Sequence, residues 1–350
     1  MINFFFSHTA VFFLPAMLLS AALTGITHSI LRRRAILDLP NERSSHTVPT
    51  PRGGGWGVML ALLPFWGWAT WRTGRLHDPV ELLLIGGTIV LMVISWIDDR
   101  RGLGPGFRIV AQIFAVGAVM ALLPRDLSIT GGLLPLPLDR LAATVIWLWF
   151  VNLFNFMDGI DGLAGGSAAA MGFGLMLVSL RHGPSQLEAF RGAMIIAVAV
   201  GFLFWNWHPA KIFLGDIGSV PIGYLLGYGL IRLAMDGGQV PALIIALYYL
   251  ADATITLLKR LRRGERVWQA HREHYYQRST QLGRSHSRTA KTAVMVQLAL
   301  AIFAWLAELW GWWMVIPAAV LVILLLRWMA RPPRAVSPGY QSGRSGEEAK

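Results

Sequence analysis

The chain has 350 residues, of which 55% are hydrophobic and 14% charged, with a mean hydropathy of +0.52. Soluble domains carry roughly 25% charged residues, so a water-soluble globular domain is excluded. The absence of cysteine excludes disulfides, thiolate chemistry and thiolate-bound metals, and the net charge of +12 reads as basic loops facing anionic lipid, with no nucleic acid as partner.

Apolar runs of about 18 residues or more each read as a membrane-crossing helix. They fall at 9–31, 55–72, 80–97, 107–124, 140–157, 163–180, 190–206, 217–235, 239–258, 292–309 and 312–328, which predicts an all-α polytopic integral membrane protein with about eleven transmembrane helices. The first run lacks a basic leader and a small-residue cleavage site, the pattern of a retained helix. Residues 1–331 read as one transmembrane catalytic domain with loops at 32–54, 98–106, 157–163, 206–217 and 259–291. The Pro-, Gly-, Ser- and charge-rich stretch 332–350 reads as a disordered cytoplasmic tail. Loops after odd-numbered helices, with the tail, hold 24 of the 31 Lys and Arg residues, against 7 on the other side. That excess puts the odd loops and the C-terminus in the cytoplasm and the N-terminus outside.

The same parity sorts the unusual polar residues. "DLPNERSSHTVPTPRGGG" carries Asp38, Asn41, Arg43, His46 and Arg52. Next, "DDRRGLGPG" ends a helix on Asp98 and Asp99. Acidic residues there oppose the helix dipole, so a cation or an arginine (Arg100, Arg101 or Arg108) is needed beside them. "NLFNFMDGIDGLAGG" spaces Asn152, Asn155, Asp158 and Asp161 three apart, so that pairs of them can face one ligand. Carboxylates at membrane depth cost several kcal/mol unless paired or metal-bound. "NWHPAKIFLGDIGS" adds Lys211, Asp216 and Ser219, and "HREHYYQR" adds His271, Arg272, His274 and Arg278. The three glycines after Arg52 form a turn whose amides could cradle phosphate, and Asp252 is a further candidate by its depth in a helix.

Hard carboxylates without cysteine suit Mg²⁺, with Mn²⁺ as the alternative, held together with phosphate oxygens. Metal, cations and little covalent machinery are the parts of phosphoryl transfer. A secondary transporter would place such groups near the bilayer midplane in repeated halves; here they collect at one membrane face, without a repeat.

At these five motifs, in this order between residues 38 and 278, the sequence resembles the polyprenyl-phosphate N-acetylhexosamine-1-phosphate transferases. That family lies within the superfamily of the phospho-N-acetylmuramoyl-pentapeptide transferase. The resemblance implies transfer of a sugar-1-phosphate from a UDP-N-acetylhexosamine to undecaprenyl phosphate, with release of UMP, at the cytoplasmic face of a bacterial inner membrane. It implies that Asp98 and Asp99 lie beside the lipid phosphate, one of them deprotonating or orienting it. Asn152, Asn155, Asp158 and Asp161 would hold the nucleotide pocket, and His271 and His274 would meet the donor. Asp216, with Asp98, would be the Mg²⁺ ligand set, and His46, Arg52, Lys211, Arg272 and Arg278 complete the substrate-binding candidates. The Arg-Glu-rich form of the last motif resembles the branch that initiates O-antigen or related surface polysaccharide, and argues against a peptide-bearing donor. A homodimer is compatible with the resemblance.

Overall fold

A computed structural model describes residues 2–40, 48–181, 186–266, 269 and 271–333. His46, Asn41 and Arg43, and the tail from residue 334, lie outside the described residues. The helices are α1 (Ile2–Arg33), α2 (Gly55–Arg72), α3 (Pro79–Arg101), α4 (Pro105–Leu122), α5 (Leu136–Phe156) and α6 (Leu163–Arg181). They continue with α7 (Gln186–Asn206), α8 (Asp216–Met235), α9 (Gln239–Arg262), α10 (Tyr275–Gln281), α11 (His286–Trp310) and α12 (Val315–Met329).

Among the described residues, nine segments are long and apolar enough to cross a membrane. The eleven-span reading differs in two places. Residues 286–329 form one such segment, although it breaks at the 3-10 turn Gly311–Met314 between α11 and α12. The 18 residues of α2 include four tryptophans and three glycines, which lower its mean hydropathy.

Helix boundaries follow local chemistry. Asp78 accepts a hydrogen bond from the Val80 amide at 2.9 Å to start α3, with Pro79 at the first position. Gly102, at φ +66°, ends α3 by donating to the Asp98 carbonyl at 2.8 Å. The centre of the bundle is α8, buried along nearly its whole length by α2, α3, α5, α6 and α9. Gly55 of α2 and Gly218 of α8 meet backbone to backbone, and a Cβ at either would collide with the other helix. This contact fixes the start of α2 against the start of α8, where Asp216 sits.

The two ends of the bundle differ. At one end, Glu81 of α3, Thr70 of α2 and Glu188 of α7 surround the buried guanidinium of Arg191, which also lies over the Trp66 ring at 4.5 Å. The loops after α1, α3, α5, α7 and α9 gather at the other end.

Candidate active site

The loop after α1 returns to the bundle as a short strand pair, β1 (Leu37–Asp38) with β2 (Thr50–Pro51). Arg52 then bridges to Phe213 of the loop after α7. The amides of Gly53 and Gly54 donate to the Phe213 carbonyl at 3.1 and 2.8 Å, and Gly55 donates to Leu214 at 2.8 Å. These glycines therefore do not cradle phosphate: their N–H groups are spent on a segment about 160 residues away. Their effect is to aim Arg52.

Arg52 forks between two carboxylates, Nε at 3.0 Å from Asp99 and Nη2 at 2.6 Å from Asp216. Arg108 of α4 lies 2.8 Å from Asp98 and 3.2 Å from the second oxygen of Asp216. Asp99 also accepts from the amides of Asp216 and Ile217 at 3.3 and 3.2 Å, so it caps the exposed start of α8. Gly215, at φ +75°, is needed there, because a Cβ would sit 2.9 Å from the Asp99 carboxylate. Asp98 accepts the Leu103 amide at 2.7 Å. Of the basic residues available to this helix end, Arg108 is the partner of Asp98, while Arg100 lies over the Trp96 ring at 5.8 Å.

Asp158 sits on the loop beyond α5; its amide donates to the Asn155 carbonyl at 3.2 Å, and its carboxylate makes no hydrogen bond or ion pair among the described residues. Burial pushes its carboxyl well above the usual range; Arg52 opposes this, and Asp216, Asp99 and Asp161 reinforce it. Burial disfavours the charge on Arg52, yet Asp216, Asp99, Asp38 and Asp158 together raise its pKa. If fully ionised, Asp98, Asp99, Asp158 and Asp216 set four negative charges against the two guanidiniums. The two left over match one divalent cation, and Asp158 has free oxygens to offer it. This all-oxygen donor set fits Mg²⁺ or Mn²⁺.

The remaining predicted residues fall into three groups. Asn155 accepts from Ser219 Oγ at 2.6 Å, which ties α5 to the first turn of α8 at the edge of the carboxylate group. His274 starts α10, buried, with its ring 4.7 Å from that of His271 and stacked near Phe156. Tyr276 donates to the Phe156 carbonyl at 2.8 Å, which packs α10 against the loop that carries Asp158. Arg278 points outward from α10, and the Arg272 carbonyl accepts from Gln281 at 2.8 Å. Burial, then His274 and Arg260, lower the pKa of His271 to about 4.

Three candidates sit elsewhere than the sequence placed them. The Asn152 amide nitrogen donates to Gln112 of α4 at 2.7 Å and to the Leu148 carbonyl at 2.8 Å, so it links α5 to α4. Lys211 lies over the Trp205 ring at 5.5 Å and pairs with none of the four carboxylates. Asp161 belongs to a neighbouring group, 2.7 Å from His208 Nδ1 and 3.3 Å from His286 Nδ1, and it accepts the Ala210 amide at 3.2 Å. Burial alone would raise Asp161, but His286, His208 and that amide bring its pKa down to about 2.

Sequence reasoning missed His286, which stands at the first position of α11, outside every motif. Asp252 turns out to be a scaffold group. It is fully buried in α9 and accepts the Tyr275 and Tyr276 amides at 2.8 and 3.2 Å, capping α10. Arg260, also buried, pins the preceding loop through Glu265, Glu273 and the carbonyls of Arg266 and Gln269.

A bundle of membrane-type helices with a carboxylate–guanidinium centre at one end defines a polytopic membrane protein. Residues 82–234 match the family model of glycosyl transferase family 4. The chain is 24% identical to a probable undecaprenyl-phosphate N-acetylglucosaminyl 1-phosphate transferase of Bacillus subtilis, over 84% of this chain and 83% of that one. It is 29% identical to the decaprenyl-phosphate N-acetylglucosaminephosphotransferase of Mycolicibacterium smegmatis, over 83% and 79%. It is also 29% identical to the phospho-N-acetylmuramoyl-pentapeptide-transferase of Halalkalibacterium halodurans, over 75% and 84%. The matched stretch runs from α3 to α8 and includes Asp98, Asp99, Asp158 and Asp216, so the likeness to this family covers the carboxylate centre.

Proposed function

We propose that the protein transfers an N-acetylhexosamine-1-phosphate from a UDP-sugar to undecaprenyl phosphate, giving undecaprenyl-diphosphate-sugar and UMP. The observation that carries this reading is the pairing, at one end of the bundle, of Asp98, Asp99 and Asp216 with Arg52 and Arg108, with Asp158 in their electrostatic reach. The names of the relatives support it, since they act on polyprenyl phosphates. The active end faces the cytoplasm of a bacterial inner membrane, where the basic loops meet anionic lipid.

The reaction is direct attack of a lipid-phosphate oxygen on the sugar-linked phosphorus, with UMP leaving as the diphosphate bond breaks. A phosphate monoester has its second pKa near 6 and is mostly dianionic at pH 7, so the acceptor needs orientation more than a strong base. Asp98 and Asp99 are held by amides and arginines, which suits positioning. Asp216 and Asp98, with Asp158 beside them, would hold Mg²⁺, which when bound neutralises and orients the diphosphate. Arg52 and Arg108 supply fixed positive charge for the developing negative charge. His271 and His274, held at the start of α10, would meet the donor.

The relatives' names favour N-acetylglucosamine as the first donor to test. The Arg-Glu-rich loop supports the branch that starts O-antigen or a similar surface polymer. The test is purified protein with undecaprenyl phosphate, Mg²⁺ and a panel of UDP-N-acetylhexosamines. Release of UMP with at least one donor is expected; none from folded protein sinks the proposal.

A further inference from the structure

Beside the carboxylate–guanidinium centre lies a group of different chemistry, made by Asp161 after α5, His208 after α7 and His286 at the start of α11. One donor atom from each lies within 4.8 Å of the others. Both imidazoles turn Nδ1 toward the carboxylate, at 2.7 Å for His208 and 3.3 Å for His286. His286 Nδ1 is buried and ion-pair close to Asp161 Oδ1, while His208 Nδ1 lies against the other oxygen, Oδ2. The rings of His208 and His286 are 5.3 Å apart, tilted, and converge on the same space.

We propose that Asp161, His208 and His286 form a binding site for a borderline transition-metal ion of the Zn²⁺ class. Two imidazoles and a carboxylate suit Zn²⁺, Co²⁺ or Ni²⁺, whereas Mg²⁺ demands oxygen ligands. Bonds of about 2.0–2.2 Å in tetrahedral array put neighbouring donor atoms roughly 3.4 Å apart. The 3.3 Å separation already matches this, and the 2.7 Å one opens by less than about 1 Å. Binding exchanges each imidazole's Nδ1–H for a lone pair, with the proton carried on Nε2 instead. The Ala210 amide, donating to Asp161 at 3.2 Å, orients the carboxylate from behind. Half-exposed His208 gives the ion its way in, and three protein ligands leave one position for water. Such an ion staples the loop that carries Asp158 to the loop after α7 and to α11. This inference goes beyond the proposed transferase reaction and does not depend on it.

The test uses the full-length protein in detergent, stripped with chelator and titrated with Zn²⁺ by calorimetry in excess Mg²⁺. One Zn²⁺ per chain is expected, weakened roughly 100-fold or more in His286→Ala and in His208→Gln. Unfolding is followed without metal to verify that each variant is folded. Should His286→Ala not fold, His208→Gln at its exposed position carries the test. Unchanged binding in the folded variants, displacement of Zn²⁺ by Mg²⁺, or loss of the ion in His271→Ala instead would each overturn the proposal. No turnover enters the measurement, so its failure is separate from failure of the transferase reading.

Discussion

Replacing Asp252 by alanine should undock α10 without touching the carboxylate centre. The helix has seven residues, far below the roughly 12–15 that an isolated helix needs. It is held by Asp252, through the Tyr275 and Tyr276 amides, and by the Tyr276 hydroxyl on Phe156. Each buried amide left without an acceptor costs about 1–3 kcal/mol, and an anion at a helix start contributes about 0.3–1 kcal/mol. The docked loop therefore loses about 3 kcal/mol or more, which shifts its docking equilibrium more than about 100-fold at 1.4 kcal/mol per decade. Hydrogen exchange of residues 271–281 should accelerate by that factor, and in the proposed reaction the KM for the donor should rise more than kcat falls. Asp252→Asn keeps one acceptor oxygen and should lie between. Wild-type exchange and unchanged KM in Asp252→Ala would refute the view that this buried carboxylate presents His271 and His274.

Arg52→Lys replaces a two-pronged fork by a point donor that cannot span Asp99 and Asp216. Turnover should fall about tenfold or more with the fold intact; near-normal kcat would remove Arg52 from the centre. Burial holds the His271 pKa at about 4, below its ordinary 6.5, so the unfolded chain binds the extra proton between those values. Its contribution to stability is full above pH 6.5 and declines as pH falls toward 4. Nuclear magnetic resonance of labelled histidine should show His271 neutral at pH 6, and a midpoint near 6.5 would contradict its burial. At the opposite end, Glu81→Gln leaves Arg191 with Glu188 as its remaining carboxylate. A loss of about 3 kcal/mol in stability is expected with both KM values unchanged; a change in KM at constant stability would argue against a purely structural pair.

The sequence placed most of the helices and sorted the polar loops by parity, because apolar runs and basic loops are local quantities. Asp98, Asp99, Asp158 and Asp216 were legible as one group for the same reason: charge at membrane depth is costly, so its presence demands a partner. Arg108 was among the partners the sequence offered for Asp98, but other pairings stayed hidden. The amides of Gly53, Gly54 and Gly55 look free for phosphate until Phe213 and Leu214 are seen to take them. Asn152 looks like its neighbour Asn155, three residues on, but about 100° per residue of helix rotation turns it toward Gln112 of α4. Asp161 shares a motif with Asp158, yet α5 ends at Phe156, and the loop sends one carboxylate toward Arg52 and the other toward two histidines. His286 could have been suspected from one signal: it follows Ser285, the residue that caps α11, and so stands at a helix start on the same face as the motifs. The general lesson is that spacing predicts which residues are costly, while tertiary pairing decides which of them remain available to a ligand. Among the described residues the Asp158 carboxylate has no hydrogen bond or ion pair, and His286 Nδ1, 3.3 Å from Asp161, is buried without a hydrogen bond; ligand chemistry should be sought first at these two positions.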